Sequence, residues 1–77
     1  MPVTLSDIEA ARSLIRDVIT PTPIIADDRA SKEIGAKAHL KAESLQKSGS
    51  FKIRGAFNKL SSLTQEERDR GVIAASA

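Results

Sequence analysis

The sequence predicts an α/β fold with parallel strand pairing, and three patterns lead to that prediction. Segments with the helical spacing of apolar residues alternate with short extended segments. From residue 36 to residue 43 the apolar residues recur at every second position, which is typical of a strand with one buried face. Residues 72–75 form a continuous apolar run, which is typical of a strand covered on both faces in a parallel sheet. Strands that alternate with helices favour parallel pairing.

The first helix is predicted to begin at a capping box, with Ser6 as the N-cap and Glu9 three residues later. Apolar residues then recur at helical spacing as far as Ile19. The Thr-Pro-Thr-Pro run at residues 20–23 is expected to end this helix, because a residue before proline avoids the α region.

A short extended piece at residues 24–25 and a short helix at residues 27–34 are predicted next. Gly35 is expected to end that helix, since glycine tolerates the left-handed backbone at the position after the last helical residue. The period-two stretch at residues 36–43 then forms a strand whose polar face carries His39.

The second main helix is predicted over residues 51–63. Thr64 and Glu67 have the spacing of a second capping box, which opens a short helix closed by Gly71. The apolar strand at residues 72–75 follows, and it has no neighbouring strand after it in the sequence. We therefore expect these 77 residues to be the N-terminal piece of a larger protein.

Composition argues against several classes of protein. The chain has no cysteine, tryptophan or tyrosine and only two phenylalanines, so its core is aliphatic and light. A net charge of +2 with scattered basic residues gives no footprint for nucleic acid. No apolar run approaches the roughly 20 residues needed to span a membrane, and the N-terminus lacks a signal pattern. We expect a cytoplasmic, soluble protein.

Lys52 is the strongest candidate for chemistry. Gly49 permits a sharp turn, and Ser50 is expected to cap the helix that begins just after it. Lys52 then lies in the first helical turn, where the helix dipole favours a neutral amine, the form that attacks an aldehyde carbonyl. Taken alone, the pattern is also that of a solvated lysine on a helix flank, and the residues by themselves leave that alternative open.

The other candidates are weaker. His39 lacks companions at metal-ligand spacing, so no metal site is expected. The carboxylate pair Asp27 and Asp28 is more typical of a helix cap than of acid/base chemistry. Gly49 and Gly55 do not have the spacing of a phosphate-binding loop.

The segment around Lys52 resembles the pyridoxal-phosphate lysine motif of the threonine dehydratase and serine racemase family. The residues that carry the resemblance are Ser50-Phe51-Lys52-Ile53-Arg54-Gly55-Ala56, preceded by Lys41-Ala42-Glu43 and by Gln46. The similarity extends from about residue 8 to residue 77. It implies the two-domain architecture of fold type II enzymes. Residues 1–71 would then belong to the large cofactor-binding domain, and residues 72–77 to the first strand of the small domain.

The resemblance also implies roles for single residues. Lys52 would hold pyridoxal 5′-phosphate as a Schiff base and shuttle the proton at the substrate Cα. Phe51 matches the residue that packs near the cofactor ring, although an ordinary core phenylalanine stays an open alternative. Gly55 would permit close approach of the helix to the cofactor or to a strand, and Arg54 would fix the loop by a salt bridge. The family's later glycine-rich phosphate loop lies beyond the part of the family pattern that these 77 residues match.

Ser76 and Ala77 match the start of the family loop that holds the substrate carboxylate, so both are expected to bind substrate. In the resembling racemases a serine that can protonate the second face of Cα stands at the position of Ala77, and a methyl group cannot do so. Dehydration is therefore favoured over racemisation. That Ala77 only packs a tight turn stays an open alternative. Cysteine-synthase-like relatives fit less well, because they carry an acidic residue where this chain has Ile53.

The activity that the resemblance implies is β-elimination of L-threonine, and also of L-serine. The products are 2-oxobutanoate or pyruvate, together with ammonia. The enzyme would be a homo-oligomer that acts on a small amino acid, without nucleic-acid or membrane partners. Two alternatives stay open: a serine racemase or serine dehydratase, and an N-terminal fragment without catalysis of its own.

Overall fold

The computed structural model describes residues 2–75. Helices and strands alternate through the first half of the chain, and helices follow in the second half. In chain order the elements are α1 (Leu5–Ile15), β1 (Ile24–Ala26), α2 (Asp28–Ile34), β2 (His39–Lys41), a 3₁₀ turn (Glu43–Leu45), α3 (Lys52–Ser62) and α4 (Gln65–Arg70). The mixed helix and strand content agrees with the predicted class.

The two strands pair antiparallel, so the prediction of parallel pairing is wrong for this sheet. Ile25 lies opposite Leu40 at the centre of the pair. The reason lies in the connection, which closes on itself instead of crossing over the sheet. The amide of Asp27 donates to the carbonyl of Ala38 over 3.0 Å, and the Ser31 hydroxyl accepts from the Ala38 amide over 2.8 Å. Helix α2 is therefore part of the connection that joins two antiparallel strands.

Two of the predicted strands are shorter than expected or absent. The strand predicted over residues 36–43 is limited to β2. Residues 72–75 do not form a strand, and neither β1 nor β2 pairs with them. Val72 is 63% exposed and Ile73 is fully exposed. An apolar sequence becomes a strand only where a partner backbone accepts its hydrogen bonds, and residues 2–75 supply none at this place.

The capping box of α1 begins two residues before the predicted one. The Thr4 hydroxyl accepts from the Asp7 amide over 3.2 Å, and the Asp7 carboxylate accepts from the Thr4 amide over 2.9 Å. These two bonds lower the pKa of Asp7. Ser6 and Glu9 have the same spacing, but both already lie inside the helix. The prediction of Ser6 as the N-cap is therefore wrong.

Helix α1 also ends earlier than its apolar pattern, at Ile15 instead of Ile19. The amides of Val18 and Ile19 both donate to the carbonyl of Ile15, over 2.9 and 3.1 Å, which tightens the chain into a turn. The extended residues 20–23 follow this turn and lead the chain into β1.

The caps of the two short helices confirm the predictions made for them. Asp27 accepts from the Ala30 amide at the start of α2, and Gly35 ends that helix with a φ of 69°. Thr64 and Glu67 form the predicted capping box of α4.

The apolar interior is small. Ile15 is the buried hydrophobic residue of the described part of the chain, and it lies at the end of α1, which packs against α3. Thr22 and Gln46 are buried as deeply as Ile15, although both are polar. Among residues 2–75, no helix has the length and apolar character required to traverse a lipid bilayer.

Candidate functional site

Lys52 is the first residue of α3, which confirms its predicted place in the first helical turn. Gly49 has a φ of 76°, and its amide donates to the carbonyl of Gln46 over 2.8 Å, so the chain turns sharply before the helix. Ser50 lies one residue too early to be the N-cap, which is Phe51. The Ser50 hydroxyl accepts a long bond of 3.4 Å from the Lys52 amide.

The two neighbours of Lys52 that the sequence singles out are open in the described part of the chain. Phe51 is 66% exposed, so within residues 2–75 it is not a core phenylalanine. A Cβ added to Gly55 would meet no atom within 4 Å, so the close approach expected at this glycine is not made by residues 2–75. Both residues face space in which another group can be accommodated.

A carboxylate closes the turn behind Lys52. Glu43 forms an ion pair with Arg54, whose Nε and Nη2 both donate to the carboxylate, and the Thr22 hydroxyl donates to the same group. The Glu43 side chain is only 14% exposed and that of Arg54 is 32% exposed. These bonds, the one from Arg54 first and the one from Thr22 second, lower the pKa of Glu43 to about 2. The predicted salt bridge of Arg54 is present, and its partner is Glu43.

A buried amide fixes the same region to the segment after α1. The side chain of Gln46 donates to the carbonyl of Thr20 over 2.8 Å and accepts from the Thr20 amide over 2.7 Å. This pair imitates one rung of a β-ladder. The ammonium group of Lys41 adds a bond of 2.5 Å to the carbonyl of Thr22.

The sequence pattern does not reveal Thr20 and Thr22 as site residues, because the Thr-Pro-Thr-Pro run at residues 20–23 indicates only the end of a helix. The signal that could have found them is indirect. Glu43 and Gln46 are polar residues in a stretch that must lie near the interior, and buried polar groups need hydrogen-bond partners. The extended residues 20–23 offer such partners. Ser76 and Ala77, the predicted substrate-binding residues, lie outside the described residues.

The described residues fit the covalent attachment of an aldehyde cofactor. A primary amine can form an imine with a carbonyl group, and Lys52 presents such an amine from an exposed position at the start of a helix. A cleft with a volume of about 610 Å³ lies elsewhere. Residues of α1 and of the segment after it line this cleft together with Lys41 and Arg54, and Lys52 is not among its lining residues.

Comparison with known proteins identifies the family. The family described as pyridoxal-phosphate dependent enzyme matches residues 15–77. The chain is 48% identical over 75 residues to an L-threonine ammonia-lyase of Thermotoga maritima, an alignment that covers 97% of this chain and 19% of that protein.

Similar relatives are named as biosynthetic and as catabolic enzymes. The chain is 49% identical to the biosynthetic L-threonine dehydratase IlvA of Corynebacterium glutamicum, over 97% of this chain and 17% of the relative. It is 46% identical to the catabolic L-threonine dehydratase TdcB of Staphylococcus aureus, over 97% of this chain and 22% of the relative. The chain thus spans about a fifth of the length of these relatives. No solved structure matches it. Since the family match covers most of the chain, this protein belongs to the family of pyridoxal-phosphate dependent enzymes.

Proposed function

We propose that this chain supplies the cofactor-binding lysine, Lys52, of an enzyme that deaminates L-threonine. The observation that carries the proposal is the exposed position of Lys52 at the start of α3, just after a turn closed by the Glu43–Arg54 pair. The identity of nearly half to named threonine ammonia-lyases and dehydratases supports the choice of substrate. The finer assignments go with this proposal: residues 1–71 in the large domain, residues 72–77 in the small one, a cytoplasmic location and a homo-oligomer.

The chemistry divides between the cofactor and the chain. Pyridoxal phosphate, when bound, supplies an electron sink for the pair of electrons left at the substrate Cα. Lys52 would hold the cofactor through its side-chain amine. Its amine then removes the proton from Cα as a general base. Loss of the β-hydroxyl and hydrolysis give 2-oxobutanoate from threonine, pyruvate from serine, and ammonia from both. Phe51 would border the cofactor, and Ser76 and Ala77 would bind the substrate carboxylate.

The test is chemical labelling of the protein produced from the full reading frame that encodes this chain. Borohydride reduction in the presence of the cofactor, followed by peptide mapping, is expected to mark Lys52. Lys47 and Lys59 are nearby lysines in the same sample and serve as internal controls. A label on either of them, or on Lys41, would contradict the assignment.

A product assay separates elimination from racemisation in the same protein. Keto acid and D-isomer are followed together with L-serine and with L-threonine as substrates. Keto acid release without comparable D-serine is expected, since Ala77 cannot protonate Cα. Ala77→Ser is expected to raise D-serine formation while keto acid release persists. Formation of D-serine at the rate of pyruvate by the unaltered protein would contradict the preference for elimination.

A further inference from the structure

We propose that Glu43 is a positioning residue that holds Lys52 in place by closing the turn at residues 46–51, which connects the 3₁₀ turn to α3. This inference rests on the proposed role of Lys52. Glu43 is the first residue of the 3₁₀ turn and Arg54 is the third residue of α3, so their ion pair spans the loop that leads into Lys52. Neither residue takes part in the proposed chemistry.

Three donors hold the Glu43 carboxylate in a defined orientation, unlike the carboxylate of an exposed ion pair. One oxygen accepts from Arg54 Nε, and the other accepts both from Arg54 Nη2, over 3.2 Å, and from the Thr22 hydroxyl. A two-pronged guanidinium bond sets both the distance and the plane of the partners. The Thr22 hydroxyl is a third donor, and it comes from the segment before β1. Three segments of the chain therefore meet at Glu43.

A second ion pair in the same chain shows the difference. Arg29 and Glu33 lie one turn apart on α2 at 3.6 Å, with side chains 90% and 69% exposed. Pairs of this kind contribute little, because water screens them and both side chains stay free to move. The Glu43–Arg54 pair is largely shielded, and it connects residues 11 positions apart in sequence.

The segment between the 3₁₀ turn and α3 is largely exposed and is shaped by local hydrogen bonds. Lys47, Ser48 and Gly49 are exposed. The hydrogen bonds described within the turn are local, such as the one of 3.2 Å from the Ser48 hydroxyl to the Ser50 carbonyl. Local bonds shape a turn but do not fix its direction. The Gln46–Thr20 pair ties the start of the turn to the segment after α1, and α3 itself packs against α1. Together with these contacts, the Glu43–Arg54 pair sets the direction in which α3, and with it Lys52, leaves the turn.

The experiment compares Glu43→Gln with Glu33→Gln, which removes the same charge from the exposed pair on α2. Both are made in the protein from the full reading frame. Two quantities are measured: the dissociation constant of pyridoxal phosphate from its visible absorbance, and hydrogen–deuterium exchange of the peptide at residues 44–54. For Glu43→Gln we expect the dissociation constant to rise about 10- to 100-fold, as follows from losing a charged hydrogen bond. Exchange should accelerate in that peptide and not in β1 or β2. Glu33→Gln should change neither.

The outcomes are distinguishable from failure of the proposed function. The exchange measurement needs no cofactor, so it tests the closing role even if borohydride labels another lysine. An unchanged dissociation constant with unchanged exchange for Glu43→Gln overturns the inference, and so does acceleration spread evenly over α1, β1 and β2. If Glu43→Gln does not fold, Thr22→Val takes its place, since it removes only one donor to the carboxylate. Unchanged exchange at residues 44–54 in Thr22→Val then overturns the inference.

Discussion

At the scale of single residues, polar groups do as much as apolar ones to hold this chain together. Thr22 and Gln46 are 5% and 4% exposed, against 7% for Ile15. A buried polar side chain is costly unless it is hydrogen-bonded. Both are bonded, and no buried side-chain nitrogen or oxygen in the described residues lacks a partner. The interior beside the Lys52 turn is therefore specified by directional bonds, which fix an orientation more narrowly than apolar contact does.

The protonation state of Glu43 gives a prediction about acid. Its pKa is lowered from the ordinary 4.5 to about 2 by the bonds from Arg54 and Thr22. A carboxyl whose pKa is lower in the folded than in the unfolded protein stabilises the fold fully above the unfolded value. That contribution is lost as the pH falls through the folded value. We therefore expect the closed turn to be fully stabilised above pH 4.5 and to weaken as the pH approaches about 2.

The measurement is hydrogen–deuterium exchange at residues 44–54, compared at each pH with Glu43→Gln so that the intrinsic pH dependence of exchange cancels. The unaltered protein should be better protected from exchange than the variant above pH 4.5, and this difference in protection should shrink as the pH falls toward about 2. A difference that vanishes well above pH 4.5, or that stays constant down to about pH 2, would contradict the assignment of the effect to Glu43.

At the scale of elements, features set by neighbouring residues in the sequence could be predicted. Predictions of strands failed where the strand depends on another segment of backbone alongside it. Helix α2 and helix α4 were found with their caps, because each cap is a contact between residues three or four positions apart. The pairing direction of β1 and β2, and the strand at residues 72–75, depend on which backbone lies alongside. The start of α1 was misplaced for a different reason. Thr4 with Asp7 and Ser6 with Glu9 have the same spacing, and spacing alone cannot choose between them.

The site divides in the same way. The position of Lys52 and the Gly49 turn could be predicted, since both follow from local backbone preferences. The ion pair of Arg54 was expected, but the residue that closes it was not. Thr22 reaches Glu43 across 21 positions of sequence, and Gln46 reaches Thr20 across 26. No periodicity in the sequence reports a contact of that range.

The two possible caps of α1 can be separated by a pair of substitutions. Thr4→Ala is expected to cost the helix about 1 kcal/mol, because a lost N-cap leaves a first-turn amide without its acceptor. Ser6→Ala should be close to neutral, since Ser6 lies inside the helix. The measurement is the helical far-ultraviolet circular dichroism of synthetic peptides spanning residues 2–19. A larger loss of helix for Ser6→Ala than for Thr4→Ala would restore the prediction that the structure overturns.

The glycines on either side of Lys52 should respond oppositely to alanine. Gly49 has a φ of 76°, so Gly49→Ala is expected to destabilise the protein by about 1–2 kcal/mol. Gly55 lies inside α3 with open space around it, so Gly55→Ala should stabilise it by about 0.5–1 kcal/mol. Urea unfolding midpoints of the protein from the full reading frame provide the measurement. A loss of stability or of bound cofactor in Gly55→Ala would show that a group outside residues 2–75 approaches this glycine.

At the scale of the whole molecule, the chain has far more surface than a compact domain of its mass. Its accessible surface is 6692 Å², whereas a folded monomer of 8.2 kDa is expected to have about 4,500 Å². Its radius of gyration is 16.1 Å, against about 11–12 Å for a compact chain of this length. Large hydrophobic side chains are exposed along its whole length, among them Leu5, Ile24, Leu45, Phe51 and Ile73. Apolar surface on this scale is typical of interaction surfaces.

This surface leads to a prediction about the 77-residue polypeptide produced on its own. With Ile15 as the buried hydrophobic residue of the described part, its folded state gains little from apolar burial and should unfold without a steep transition. Its exposed apolar side chains should cause it to associate as its concentration rises. It should also lose pyridoxal phosphate on desalting, since one reversible covalent bond to Lys52 would have to retain the cofactor. Light scattering, urea titration and visible absorbance after gel filtration test these three expectations. A monomer that unfolds cooperatively, keeps a stoichiometric amount of cofactor and releases keto acid from threonine would contradict them, and would show that the bonds around Glu43 and Gln46 suffice to build a working site.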